Sequence, residues 1–459
     1  MLDLLLRNAH VFAPEDLGRL DIGISGGMIV CLGHLTDKAN RTIDCSGKIA
    51  IPGAIETHAH MLLSFGGTRT MNDFYDGTVA GAIGGVTTLI DFADQVRGGS
   101  AMEAFEARLQ LAKTSVVDYS LHCTLTDIND ATLKDIPRLM ERGVTSFKFY
   151  TAYKAGGLYV APNDMEKAFM VIAENGALAT VHAEAEEEIL AQTDRLIAGG
   201  KTGVAFFPQS RPDSSEKSAI AGVISLAKKT GAKLLIRHVT SAFGVEEITS
   251  AQASGQMVIG ETCPHYLMLT QEVYGGEDGA RYIVNPPIRG RADQERLWKA
   301  LEDGVKFTIG TDDCSFYLSQ KHVSDKFYEI PGGLPGIETR VPVMLTAGVS
   351  SGRLSMERLV HLLSTDVAKL YGIYPQKGTI ALGSDADIVL IESCNPYPLT
   401  VATLHEQSDY TPFEGMQLDQ RIFMTISCGR VLAKNGMFQG MRGLGRFLKR
   451  RLPADLDML

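Results

Sequence analysis

A chain of 459 residues with 45% hydrophobic and 21% charged side chains can bury a large core and is too apolar for extended disorder. Its 44 basic and 54 acidic residues leave a net charge of -10, which disfavours a nucleic-acid surface. Seven cysteines without a Cys-x-x-Cys pair, no apolar run of membrane length, and Asp3 where a signal peptide is basic predict a cytoplasmic protein with reduced thiols.

Residues 1–52 hold three β-like runs, Leu4 to Phe12, Leu20 to Gly33 and Arg41 to Ile51, broken by turn signals at Ser25-Gly26-Gly27 and Cys45-Ser46-Gly47. Gly23 to Gly27 also has nucleophile-elbow spacing. A strand-like run, Met28 to Leu32, follows where that motif needs a helix, so the match is set aside. From residue 53, short apolar runs alternate with segments of helical period: Ala54 to His60, Val86 to Phe92, Ser120 to Thr126, Thr145 to Thr151, Leu178 to Glu184, Leu234 to Thr240, Met257 to Pro264 and Val305 to Asp313. Ser100 and Glu103 have capping-box spacing ahead of Met102, Phe105, Leu109 and Ala112 on one helical face. Eight such runs predict a (β/α)8 TIM barrel over 53–375 with its chemistry at the C-terminal strand ends, a doubly wound open sheet being the alternative. After a helical stretch near Met356 to Tyr371, β texture returns at Gly378 to Ile380, Asp387 to Ile391 and Arg421 to Cys428. Residues 376–440 are therefore expected to join 1–52 in a flanking β-sandwich. The tail, 441–459, carries Arg442, Arg446, Lys449, Arg450 and Arg451 and reads as a solvated or subunit-bridging arm.

A His-x-His pair is weak evidence for a metal by itself, because exposed histidines are commonly just solvated. Here His58 and His60 share a strand end with Glu56, and other predicted strand ends carry Lys148, His182, His238 and Asp312. The remaining histidines, His10, His34, His122, His322, His361 and His405 among them, lack that setting and read as packing or surface residues; His265 reads as structural or supporting. Lys148 does not suit a metal site as an ammonium. Carbamylation by carbon dioxide would turn its amine into an anion with two oxygens, able to bridge two ions. Four imidazoles, a carbamate and an aspartate then suffice for a binuclear centre that binds hydroxide at neutral pH, with Asp312 as proton acceptor and donor. A lysine near a strand end, exposed at the surface, is the alternative for Lys148.

These residues resemble the cyclic amidohydrolases of the dihydropyrimidinase and hydantoinase group. The resemblance runs over nearly the whole chain, through Pro52-Gly53, Glu56 to His60, Asp73 to Thr78, Gly84 to Thr88, Ser146 to Lys154, Val181 to Glu184, His238 to Ser241, Glu261 to Pro264, Asn285-Pro286-Pro287, Gly310-Thr311-Asp312 and Gly383 to Asp387. It implies a barrel with a β-sandwich built from both chain ends, two divalent metal ions, usually zinc, and N6-carboxylysine at Lys148. The implied reaction is hydrolysis of a hydantoin or dihydropyrimidine ring to an N-carbamoyl amino acid by a metal-bridging hydroxide. The implied metal ligands are His58, His60, Lys148, His182, His238 and Asp312. Asp312 is also the implied acid/base, Tyr153 the donor to the oxyanion, and Asn285 and Gly332 stand where backbone groups bind the ring. A homotetramer, or a homodimer, is the implied assembly.

Leu63, Phe65 and Tyr150, with Met61, Leu62, Leu158 and Tyr159, either line an apolar pocket for a ring substituent or pack a lid. Met61 and Leu62 follow the histidine pair where dihydroorotases carry Arg, which favours a neutral ring, with Arg69 and Arg97 as the possible exceptions. The alternatives are an allantoinase or other cyclic ureide hydrolase and, from another class, a non-catalytic dihydropyrimidinase-related assembly protein. Three positions depart from the family pattern: Glu56 for Asp, Gly332 for Asn, and Asp313 for His, the last expected to raise the pKa of Asp312.

Overall fold

The computed structural model describes residues 1–455 and Leu459, and of Phe65 the backbone alone. Eight parallel strands, Ala54–Glu56, Val86–Asp94, Asp118–Thr124, Ser146–Tyr150, Leu178–His182, Lys233–Ile236, Val258–Thr262 and Phe307–Ile309, pair in chain order with helices between them. An unbroken order of this kind is that of a TIM barrel; a doubly wound sheet reverses direction part-way. The helices start where the sequence supplies caps: the Asp73 carboxylate accepts from Tyr75 and Asp76 N–H, and the Ser100 hydroxyl accepts from Met102 and Glu103 N–H.

The first and eighth strands share no ladder among the described residues, and the barrel closes just beyond them. Asp313 N–H donates to His58 O at 3.1 Å, and His60 N–H donates to Asp313 O at 2.8 Å. The first strand stops at Glu56, short of the expected His60, because the Glu56 carboxylate itself accepts the His58 N–H at 2.8 Å. Inside the N-terminal end of the barrel, Ile55, Ile90, Leu178, Leu235 and Ile259 pack on Val367 and Leu370 of a following helical segment, which plugs it.

Both chain ends build one nine-stranded sheet folded into a sandwich around Leu4, Leu6, Ile22, Ile24, Ile388, Leu390, Met424 and Ile426. Ile49–Pro52 runs antiparallel to Ile388–Pro398, so the two ends are joined immediately before the barrel begins. The run Leu20 to Gly33 is a hairpin, Asp16–Ser25 with Met28–Gly33, turning at Gly26 and Gly27 with φ of 59° and 81°; the elbow-like spacing is this turn. Gly378 to Ile380, expected as a strand, is a turn: Gly378 has φ of 84° and the Thr379 hydroxyl donates to Ala13 O at 2.8 Å.

The tail is not a free arm. Tyr119 N–H donates to Arg446 O and Leu448 N–H to Tyr119 O, so the tail extends the third barrel strand. The Arg450 guanidinium is buried under the barrel, donating to Ser146 Oγ at 2.8 Å and Leu121 O at 2.6 Å. These bonds withdraw Arg450 from solvent, while Arg442, Arg446, Lys449 and Arg451 stay exposed.

Where barrel, sandwich and tail meet, buried Lys377 lies 2.8 Å from Asp118, 3.0 Å from Asp385 and 2.6 Å from Asp387. Burial pushes the Asp118 carboxyl up, but Lys377 and Arg446 outweigh it and hold it at about 2. A depressed pKa contributes stability above the ordinary carboxylate range that is lost as pH falls through the folded value. Lys377→Ala removes the cation shared by three buried carboxylates, leaving Asp118 and Asp385 to Arg446 and Asp387 without a cation, and should cost about 3–5 kcal/mol in urea unfolding at about pH 7. The deficit should shrink toward about pH 3 as those carboxylates protonate; an equal deficit at both pH values would contradict this role.

Candidate metal centre

His58 and His60 lie just past the first strand, Lys148 is within the fourth, His182 ends the fifth, His238 follows the sixth, and Asp312 follows the eighth. Barrel convergence brings all six to one cavity. His58 Nε2 and His60 Nε2 stand 2.9 and 3.3 Å from Asp312 Oδ1. His182 Nδ1 faces His238 Nε2 at 2.9 Å. The Lys148 amine is fully buried and has no hydrogen-bond partner among the described residues. Burial, then the Arg237 charge, brings it down to about 7, so much of it is neutral near neutral pH. Burial likewise pushes the His60 and His182 imidazoles below their usual range and that of His238 well below, toward the neutral form that ligates metals.

Buried charges orient these side chains. Glu261 Oε1 lies 2.5 Å from His58 Nδ1, and Glu261 Oε2 accepts from Arg237 at 2.7 Å. Glu184 Oε2 lies 2.8 Å from His182 Nε2, while Glu184 Oε1 accepts from Arg211 Nε at 3.0 Å. Glu56, the longer carboxylate, faces Arg340 at 3.2 Å and backbone N–H groups, leaving the imidazoles to Glu261 and Glu184. Asp313 does not act on Asp312 as expected. Its carboxylate turns away to accept from Gly336 and Ile337 N–H at 2.9 and 3.1 Å, and burial raises it to about 6. Burial raises the Asp312 carboxyl too, but His58, His60 and His238 overcome this and hold it well below its usual range. Tyr153, His238 and Asp312 have φ of 68°, 39° and 50°, a strained region for side chains with a Cβ. Tyr153 is pinned there by Glu186, which accepts its N–H at 2.7 Å.

Sequence reasoning missed Glu261, Arg237, Arg340, Glu184 and Arg211 as supports. The available signal was charge inside strand-like runs: Glu261 and Arg237 interrupt apolar segments, and a charge there needs a buried partner. His122, read as packing, also belongs to this network, with Nε2 3.1 Å from both Thr57 O and Arg237.

The cavity holds about 340 Å³ and is walled by Leu63, Val96, Tyr150, Leu158, Asn285 and Gly332, with Tyr153 beside His182. Met61, expected at the mouth, is instead fully buried and packs against Gly77, whose Cβ would meet its Sδ at 2.5 Å. The side chain of Phe65 lies outside the described residues. The two candidate arginines are held by carbonyls: Arg97 donates to Thr126 O and Tyr159 O, and Arg69 to Leu62 O. Burial drives the Tyr153 hydroxyl far above its usual pKa, so it is a proton-bearing donor, with Arg211 3.3 Å away.

The amidohydrolase family pattern matches residues 49–432. The chain belongs to the amidohydrolase family. A D-phenylhydantoinase of Escherichia coli O1:K1 / APEC is 36% identical over 457 residues, covering 98% of both chains. The crystal structure of a dihydropyrimidinase from Brevibacillus agri NCHU1002 matches with a TM-score of 0.96 and 36% identity, covering 99% of this chain and 100% of that one. An L-hydantoinase (dihydropyrimidinase) from Arthrobacter aurescens matches at a TM-score of 0.91 and 31% identity, over 98% of this chain and 100% of that one. The barrel with its two-ended β-sandwich is thus the architecture of these enzymes.

The donor set of this amidohydrolase fits a pair of divalent ions. His58, His60 and Asp312 can turn one ligand atom each toward a common point. The facing nitrogens of His182 and His238 call for a shared proton or cation, and the Lys148 amine has no protein partner. Because Glu261 fixes the His58 ring, Glu261→Gln should lower metal affinity about 10- to 100-fold in a chelator competition. Unchanged affinity would remove Glu261 as the orienting group.

Proposed function

We propose that the enzyme hydrolyses a cyclic amide or imide, a hydantoin or dihydropyrimidine ring, to an N-carbamoyl amino acid. The observation that carries this reading is the convergence of six ligand-type side chains from five strand ends on a cavity with an apolar wall. The relatives' names, D-phenylhydantoinase, dihydropyrimidinase and L-hydantoinase, share that ring chemistry, and the first and last name opposite hands.

His58, His60 and Asp312 would hold one ion, and His182 and His238 the other, with Lys148 between them as its carbamate. The Lys148 amine adds to the carbon of carbon dioxide and releases one proton, giving an anion with two donor oxygens. A neutral amine is required, which its low pKa supports. Imidazole and carboxylate donors of this kind suit zinc. When bound, the ions would polarise the scissile carbonyl and supply hydroxide at neutral pH.

The chain's own groups do the rest. Asp312 takes the proton from the attacking water and returns it to the ring nitrogen as the carbon–nitrogen bond breaks. The Tyr153 hydroxyl donates to the oxygen that gains charge. The backbone at Asn285 and Gly332 holds the ring edge, and Leu63, Tyr150 and Leu158 receive an apolar substituent. The apolar wall of Leu63, Val96 and Leu158 favours a neutral ring; Arg97, which keeps its charge while donating to carbonyls, also lines the cavity.

A panel of dihydrouracil, substituted hydantoins of each hand, allantoin and dihydroorotate, with metal measured in the same preparation, tests the reading. Ring opening of a hydantoin or of dihydrouracil to the carbamoyl product is expected; a metal-loaded enzyme that opens neither would overturn it. Lys148→Ala should lose metal and turnover together, with partial rescue by short carboxylic acids. Asp312→Asn should lower kcat by at least about 10²- to 10⁴-fold, and unchanged turnover would remove it as the proton carrier.

A further inference from the structure

The carboxylates that support the site each have a partner inside the protein. Glu56 faces Arg340, Glu184 faces Arg211, Glu261 faces Arg237, Asp312 faces imidazoles, and Asp313 accepts from two backbone N–H groups. Asp94 is different. It ends the second barrel strand two residues past Phe92, whose ring stacks on His60 with centroids 4.6 Å apart. Side chains two apart on a strand share a face, so Asp94 stands one step nearer the cavity mouth than Phe92, and it lines the cavity. Its Oδ1 accepts the Thr124 hydroxyl at 2.5 Å. Among the described residues this half-buried carboxylate has no other hydrogen-bond partner and no ion pair.

Arg97, three residues on, does not neutralise it. The Arg97 Nη2 donates to Thr126 O and Tyr159 O, and its Nη1 faces Asp127 at 3.9 Å. The walls around Asp94 are apolar at Leu63, Val96 and Leu158. A carboxylate in such a wall is stabilised by a cation that a ligand brings to it. Burial, then the Asp94 charge, drives the Tyr150 hydroxyl well above its usual pKa, so no second anion forms there. With Oδ1 taken by Thr124, a guanidinium fork lacks its second acceptor, whereas an ammonium, a compact charge, needs Oδ2 alone.

We propose that Asp94 is a specificity-determining residue that binds an ammonium at the end of the ring substituent, whose apolar stem lies along Leu63, Val96 and Leu158. This rests on the cavity being the cyclic-amide site. The substrate class it names is the ring form of a diamino acid, a neutral hydantoin or dihydropyrimidine carrying a short aminoalkyl chain.

The test compares kcat/KM for hydantoins bearing an aminopropyl or aminobutyl chain with those bearing butyl or pentyl, which match them in length. Metal-loaded wild type, Asp94→Asn and Asp94→Leu are measured, with metal content determined in each. The wild type should prefer an amino member of the series to its alkyl counterpart. In Asp94→Asn that ratio should fall about tenfold or more, chiefly through loss on the amino substrate, and in Asp94→Leu the preference should reverse. The same ratio in all three enzymes, a wild type without the preference, or one that opens dihydrouracil alone overturns the inference and leaves the proposed reaction intact. Equal losses on amino and alkyl rings would assign Asp94 to the ring or the metal centre and overturn it as well. A metal-loaded wild type that opens neither these hydantoins nor dihydrouracil overturns both.

Discussion

The barrel seam is the constraint on which the site depends. A parallel barrel must join its first strand to its last, and here that joint is made by the backbone of His58 and His60 on Asp313. The segment that closes the fold is the segment that carries His58 and His60 into the cavity. Glu56 and Thr311 secure it from below, the Thr311 hydroxyl donating to His58 O at 3.0 Å and Thr311 N–H to Glu56 Oε1 at 3.2 Å. With Asp313 fixed in the seam, Asp312 takes a left-handed backbone conformation that presents its carboxylate to the imidazoles. Closure and ligand geometry are one set of hydrogen bonds.

Beneath that seam the barrel interior departs from apolar layering. Arg237, Glu261, Glu56 and Arg340 are essentially inaccessible to water, and Glu261 links Arg237 to the His58 ring. Buried ion pairs of this kind recover their desolvation cost only with good geometry, and apolar replacements of equal volume are often no less stable. Their value here is orientation: each fixes a ring or a backbone turn whose direction decides whether ligands converge. The Arg237 charge also depresses the Lys148 pKa, favouring the neutral amine.

Much of this was legible in the sequence because strand ends are legible. Alternating apolar runs located all eight strands, and polar residues at their C-terminal ends located all six ligand-type side chains that share the cavity. What was illegible depends on where side chains turn. Met61 sits in a row of apolar loop residues with Leu62 and Leu63, yet it drops into the core because Gly77 leaves room for it. Asp313 looked like a neighbour of Asp312 in charge as well as in sequence, but seam geometry sends the two carboxylates apart. The basic tail reads as a solvated arm until Ser120, Leu121 and Ser146 offer Arg450 its partners from beneath the barrel. Asn285 and Gly332 are both expected at the ring site from the sequence, but that Gly332 leaves room for the Asn285 carboxamide is visible only in three dimensions.

The central claim is that two ions lie between the histidine sets and share a carboxylated Lys148. Anomalous diffraction at the metal edge from crystals of the loaded enzyme tests it most directly. Two peaks are expected, one against His58, His60 and Asp312 and one against His182 and His238, with density extending from Lys148 Nζ to both. A single peak, or two peaks with an unextended lysine amine, would contradict it.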